Sequence, residues 1–254
     1  MNEWALVTGA SSGIGLELAR LLAADRFNLI LVARNESRLA EIAAELKARH
    51  GIQARTIAKD LAESNASRDL FQQVQSTPVS VLVNNAGVGW KDTFAKGKLE
   101  CWENMMRVNM DAVVQLTHLF LPAMLSRRQG RILNVASTAA FQPGPTKAIY
   151  YASKAFVYSF SCALAAELDG TGVTVTALCP GVTRTAFHER ARMKPSLKGL
   201  PTMEAADVAR IGYRALLRGS PVIIPGAQNK ITSTLAKLAP TRLVTRAVKR
   251  LNAD

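Results

Sequence analysis

The stretch Ala5–Gly15, Ala-Leu-Val-Thr-Gly-Ala-Ser-Ser-Gly-Ile-Gly, sets the tightest limit on the fold. Trp4–Thr8 is short, apolar and closed by a glycine, so it reads as a buried strand. Leu16, Leu18, Ala19, Leu21, Leu22 and Ala23 then recur at helical spacing. Strand, glycine-rich turn and helix follow one another without a linker. A turn of this kind aims backbone N–H groups and the positive end of a helix at one point, where a phosphate fits. Gly9, Gly13 and Gly15 have the spacing G-x-x-x-G-x-G, and Ser11 and Ser12 add hydroxyl donors. A plain strand–helix turn does not need three glycines and two serines.

The pattern continues along the chain. Strands are expected at 28–32, 52–58, 79–83, 131–136, 173–178 and 222–224. Helices are expected after Arg34, at 69–75, 99–128, 150–168 and 205–217. Alternating strands and helices imply an α/β fold, a doubly wound parallel sheet with helices on both faces. Nearly half the residues are hydrophobic, enough for a large core, and no low-complexity linker divides them. One domain over 1–254 is therefore expected. Ligands of such sheets bind beyond the carboxyl ends of the strands. Ser11, Arg34, Asp60, Asn84, Asn85, Ser137 and Thr183 all fall there.

Two groups point to chemistry. Where NAD-binding sheets place a carboxylate after the second strand, this chain has Ala33-Arg34, and an arginine there suits the 2′-phosphate of NADP. Tyr150 and Lys154 are four apart at the start of a helix and share a face. An ammonium beside a phenol is expected to lower the phenol pKa from its usual value of about 10. Ser137 closes the fifth strand and can reach the same oxygen. A weak acid, a cation and a hydroxyl suit reversible reduction of a carbonyl.

Other classes find less support. Cys101, Cys162 and Cys179 are odd in number and widely spaced, as free thiols of a reducing compartment are. His50, His118 and His188 form no ligand pair, so no metal is expected. The net charge of +13 is spread along the chain with no aromatic-interleaved basic motif, which argues against nucleic acid. The first strand leaves no room for a signal peptide, and no apolar run reaches the roughly 18 residues of a spanning helix. A cytoplasmic location is the expectation.

Together the motifs resemble the short-chain dehydrogenase/reductase family. They are Thr8-Gly-Ala-Ser-Ser-Gly-Ile-Gly15, Asp60, Asn84-Asn-Ala-Gly87, Asn109, Ser137, Tyr150-x-x-x-Lys154 and Pro180-Gly181, in the family's order over residues 4–185. The resemblance implies a Rossmann-like sheet of seven strands and NAD(P)-dependent oxidoreduction at a carbonyl or alcohol. It puts a catalytic tetrad on Asn109, Ser137, Tyr150 and Lys154. Tyr150 would donate the proton, Ser137 would polarise the carbonyl, and Lys154 would hold the ribose and depress the Tyr150 pKa. Asn109 would position a relay water. Gly9, Ser11, Ser12, Gly13, Ile14 and Gly15 would wrap the pyrophosphate. Asp60 would meet adenine, Asn85 the adenosine ribose, Val182 the nicotinamide amide and Thr185 the phosphates, while Asn84 braces the sheet. NADP-preferring relatives often carry a basic residue where this chain has Ser12, so an NADP(H) preference rests on Arg34, helped by Arg38. The sequence is also similar to the branch containing ketoacyl reductases and 17β-hydroxysteroid dehydrogenases.

Residues 184–202 resemble the family's substrate loop. Phe187, Met193, Leu197 and Leu200 lie there among Arg184, Arg190, Arg192, Lys194 and Lys198, which suits a hydrophobic substrate with an anionic handle or a solvated lid. Trp90, Phe94, Phe141 and Pro143 either line that pocket or pack elsewhere. The basic segment 228–254 reads as two amphipathic helices split by Pro240, covering the cleft or a partner, with contact to a membrane surface as the rival. A homodimer or homotetramer through the helices at 99–127 and 150–168 is implied by the resemblance. A non-catalytic nucleotide-sensing or membrane-bound scaffold is the alternative function.

Overall fold

The computed structural model describes residues 3–187, 191 and 202–252. Five buried strands form its centre: β1 (Trp4–Thr8), β2 (Asn28–Ala33), β4 (Val79–Asn84), β5 (Gly130–Val135) and β6 (Val173–Leu178). With β3 (Ala54–Ala58) and β9 (Val222–Ile223) at the edges they make a parallel sheet of seven strands, ordered β3-β2-β1-β4-β5-β6-β9. The order reverses between β1 and β4, and their carboxyl ends open the crevice where such sheets bind ligands. A second parallel pair joins β7 (Thr183–Arg184) to β8 (Met203–Glu204). It brackets 184–202, where no strand pair was expected. Residues 188–190 and 192–201 of the proposed loop, with Met193, Leu197 and Leu200, lie outside the described residues.

Helices cover both faces. The first face holds α1 (Gly13–Ala24), α2 (Glu36–His50) and α7 (Ala205–Arg218), whose Leu18, Leu22, Leu39, Ile42 and Leu216 pack on Ala5, Val7, Leu29 and Leu31. Alternate residues of the same strands point the other way. There Leu6, Ile30 and Leu82 meet Leu70 of α3 (Ala66–Val74), Leu116 and Phe120 of α5 (Ala112–Ser126) and Leu164 of α6 (Ala148–Glu167).

One expectation needs correction. The segment 99–126 is a single 28-residue helix, long and apolar enough to cross a membrane by length and composition. It begins as α4 (Leu99–Met106), widens into a π-turn at Arg107–Asp111 and continues as α5. Pro122 neither ends nor splits it. Its apolar residues Leu116, Phe120 and Met124 are buried against the sheet. Farther on, α8 (Ala227–Leu238) and α9 (Thr241–Asn252) form on either side of Pro240, as the sequence predicts.

Candidate active site

The β1–α1 turn is shaped by two residues in the left-handed region, Gly9 at φ +66° and Gly13 at φ +58°. A Cβ on Gly9 would lie 2.7 Å from Asn85 Nδ2, and one on Gly13 would lie 2.9 Å from Thr185 Cγ2. Glycine is needed at both points for the backbone conformation and for close approach. Asn85 Nδ2 donates to the carbonyls of Thr8 (2.9 Å) and Gly9 (3.2 Å). The Thr8 hydroxyl accepts from the N–H groups of Asn85 and Ala86, each at 3.0 Å. The tip of β4 is thereby tied to the tip of β1. No acidic residue occupies the first turn of α1.

Ser11, Ser12, Gly9, Gly13 and Ile14 line a cavity of about 440 Å³ at these strand ends. Arg34 and Asp60 stand at one end, and Asn85, Val182 and Thr185 border it. Ser137, Tyr150 and Lys154 are at the other end. Gly15 is not in the lining. It is buried, and a Cβ there would strike Asn85 Nδ2 and the Gly9 carbonyl, so it serves the packing of the turn rather than its ligand face. Arg34 Nη1 pairs with Asp60 at 3.6 Å, while Asp60 Oδ1 accepts from the Ala62 N–H. Arg38, expected to help Arg34, instead pairs with Glu41 at 2.7 Å and is absent from the lining.

Ser137 caps a short 3-10 turn, Thr138–Phe141, its hydroxyl accepting from the Ala139 N–H at 3.1 Å. A hydrogen bond links it to Tyr150 and pulls the phenol pKa down, but burial pushes harder and raises it to about 12. Tyr151 adds to the rise. The expected depression by Lys154 does not occur. Lys154 Nζ donates to the Val135 carbonyl at 2.8 Å and lies 6.0 Å from the Tyr150 ring centroid. Burial lowers Lys154 itself from 10.5 to about 8. Tyr150 is therefore a protonated phenol at neutral pH.

Asn109 sits in the π-turn, buried and outside the cavity lining. Its Oδ1 accepts from the Val88 N–H at 2.9 Å, and its Nδ2 donates to the Val88 carbonyl (2.9 Å) and to Ser153 Oγ (3.0 Å). Ser153 in turn donates to the Tyr150 carbonyl at 2.8 Å. The Asn109 side chain thus clamps the loop after β4 to the first turn of α6. Sequence reasoning missed Ser153, whose signal was its place one residue before Lys154. Asn84 braces the sheet as expected, donating to Asn134 Oδ1 (2.9 Å) and Thr117 Oγ1 (3.1 Å).

Of the aromatic candidates, Phe187 faces the cavity with its ring 5.8 Å from that of Tyr150. Trp90, Phe94, Phe141 and Pro143 do not line it. Phe94 stacks on Trp102, and Phe141 is buried against Tyr158. Arg184 points to Glu204 at 3.1 Å, away from the lining. The cavity wall includes Lys91, Gln142 and Lys147, which the sequence did not single out, and Val248, Leu251 and Asn252 of the segment expected to cover the cleft. Lys147 donates to Asn252 Oδ1 at 3.0 Å, so α9 closes the substrate end.

A glycine turn that a Cβ would fill, a helix N-terminus without acid and an arginine beyond β2 fit a dinucleotide phosphate. Fold and cavity together define a nucleotide-binding α/β oxidoreductase. Residues 3–196 match the model of the short chain dehydrogenase family, and the chain belongs to that family. It is an NAD(P)-dependent dehydrogenase or reductase acting on CH–OH groups. The ketoacyl reductase HetN of Nostoc sp. is 36% identical over 92% of this chain and 81% of its own length. A very-long-chain 3-oxoacyl-CoA reductase of Phaeosphaeria nodorum is 39% identical over 83% of this chain, which spans 64% of that relative's length. Among solved structures, a short-chain dehydrogenase from Sphingobium yanoikuyae in complex with NADPH superimposes with a TM-score of 0.84. It is 29% identical and covers 94% of this chain and 95% of its own.

Proposed function

We propose that the protein is one catalytic domain over 1–254 that reduces a hydrophobic carbonyl substrate with NADPH, or runs the reverse oxidation. The observation that carries this reading is the meeting of Ser137, Tyr150 and Lys154 in the cavity that also holds the glycine turn and Arg34. The nicotinamide cofactor supplies or accepts a hydride when bound. Gly9, Ser11, Ser12, Gly13 and Ile14 would hold its phosphates through the backbone and hydroxyls. Arg34 would release Asp60 to meet a 2′-phosphate through its planar fork. Asp60, Asn85, Val182 and Thr185 would hold the remaining parts.

Tyr150 keeps its proton across the neutral range, which suits a donor to the carbonyl oxygen. The Ser137 hydroxyl polarises that oxygen. Lys154 stays charged below about pH 8 and holds the ribose. Asn109 acts through position, by holding the Val88 loop and the Tyr150 turn together. Phe187 and Val248 offer apolar wall, and Lys91 and Lys147 offer cations, which favours a ketoacyl group with an anionic handle. An assembly of two or four chains through α4–α5 and α6, at a cytoplasmic location, completes the proposal. The scaffold alternative needs only the turn and leaves the Ser137–Tyr150 pair without a purpose.

The test follows oxidation of NADPH and NADH with ketones, ketoacyl thioesters and steroids. Turnover on one carbonyl class with a lower KM for NADPH is expected. NADPH binding without turnover on any class overturns the reading.

A further inference from the structure

The helix α8 is built inside out. Its inward positions are Asn229 and Ser233, both buried and polar. Ile231, Leu235 and Leu238, spaced four and three apart on one face, are 60%, 59% and 79% exposed. A helix held by its apolar face would show the opposite pattern. Its rotation is fixed by polar side chains, because Asn229 packs against Gly181 and Lys237 Nζ donates to the Tyr158 hydroxyl at 3.1 Å. Leu243 at the start of α9 is also exposed.

Charge identifies what covers this stripe. The segment 208–253 contains no Asp or Glu, and α8 and α9 carry six cations: Lys230, Lys237, Arg242, Arg246, Lys249 and Arg250. Lys237 is engaged inward, over the Phe141 ring at 4.5 Å and donating to the Tyr158 hydroxyl. Lys230, Arg242, Arg246, Lys249 and Arg250 are exposed. A second copy seated on the stripe about a two-fold axis would set one acid-free face against another. An anionic bilayer offers apolar depth for the leucines and negative headgroups for the cations.

We propose that α8 and α9 dock this protein on an anionic lipid bilayer. Ile231, Leu235 and Leu238 enter the headgroup–acyl boundary, and the flanking Lys and Arg meet lipid phosphates. The inner face of α9 walls the cavity with Val248 and Asn252, so docking sets the substrate chamber beside the membrane. The inference does not depend on which carbonyl is reduced.

Co-sedimentation of the full chain with vesicles of phosphatidylcholine, alone or mixed with phosphatidylglycerol, tests it. Binding to the mixed vesicles only, weakening as salt rises, is expected. The triple variant I231S/L235S/L238S should lose at least about tenfold in partition while keeping its circular dichroism and NADPH binding. The double variant R242Q/R246Q should lose the preference for anionic vesicles by a similar factor. Equal binding to both vesicle types, no binding of the native chain at low salt, or variants that bind like it would overturn the proposal. So would a dimer in ultracentrifugation that the triple variant dissociates while vesicles capture neither protein, since a second copy would then cover the stripe.

Discussion

Replacing Lys154 by Met should make the protein more stable and inactive, with the gain shrinking as pH rises. The ammonium is buried, donates to the Val135 carbonyl at 2.8 Å and has its pKa lowered from 10.5 to about 8. The difference of about 2.5 units corresponds to roughly 3 kcal/mol of cost for folding the charged form near neutral pH. Losing the hydrogen bond and leaving the carbonyl unpaired returns about 1–2 kcal/mol of that. The net gain expected for Lys154→Met is about 1–2 kcal/mol near pH 7. Because the folded pKa is the lower one, the unfolded chain binds more protons between about pH 8 and 10.5, and the native protein gains stability across that window. Near pH 9.5 the advantage of the variant should therefore fall by about 2 kcal/mol, to near zero. Urea unfolding of both proteins without cofactor, at the two pH values, measures this, with turnover followed in parallel. A variant less stable than the native protein at neutral pH, or a difference that ignores pH, refutes the reasoning.

Three further outcomes follow from the site. Tyr150→Phe should reduce kcat by at least about a hundredfold with unchanged NADPH affinity, and Tyr151→Phe should retain most activity; loss confined to the second variant would move the acid to Tyr151. Arg34→Ala should raise the KM for NADPH about tenfold or more and leave NADH within about twofold, because a charge-assisted contact to the extra phosphate is lost; equal changes would show that Arg34 does not read that phosphate. Gly9→Ala should destabilise the fold by about 1–3 kcal/mol in thermal melts and weaken cofactor binding, since it combines a positive φ with a clash on Asn85; an unchanged melt would mean the turn has room to move.

The sheet and most of the cavity were legible because their signals are local. Apolar runs closed by polar or turn residues such as Gly9, Arg34, Asp60, Asn84 and Ser137 marked the strands, and the residues at those ends came together as the topology requires. What the sequence concealed depends on distance in space. The direction of the Tyr150 pKa turned on burial against the position of Lys154 Nζ, and helical spacing alone says nothing of a rival carbonyl on β5. Asn109 was expected to position a relay water, and nothing in the spacing showed that a π-turn would aim its side chain at the Val88 loop. Arg38 lies close in sequence to Arg34 yet finds Glu41 one turn along its own helix. In α8, periodicity located an apolar stripe correctly and could not say which way it faced.

The wide turn at Arg107–Asp111 also restricts how the chain can change its length. It holds one more residue than a regular helical turn, so the extra position is absorbed there and the faces of α4 and α5 stay in line. Deleting one position inside the turn would restore an ordinary helix, whereas deleting one beyond it, between 112 and 116, would rotate everything after it by about 100°. In the second case Leu116, Phe120 and Met124 would swing off the sheet; in the first they would stay, and Asn109 would leave the Val88 loop. A one-residue deletion should therefore be tolerated by the fold in the exposed segment 93–96 and at 107–111, with the Asn109 clamp lost at the latter, and excluded from 112–116.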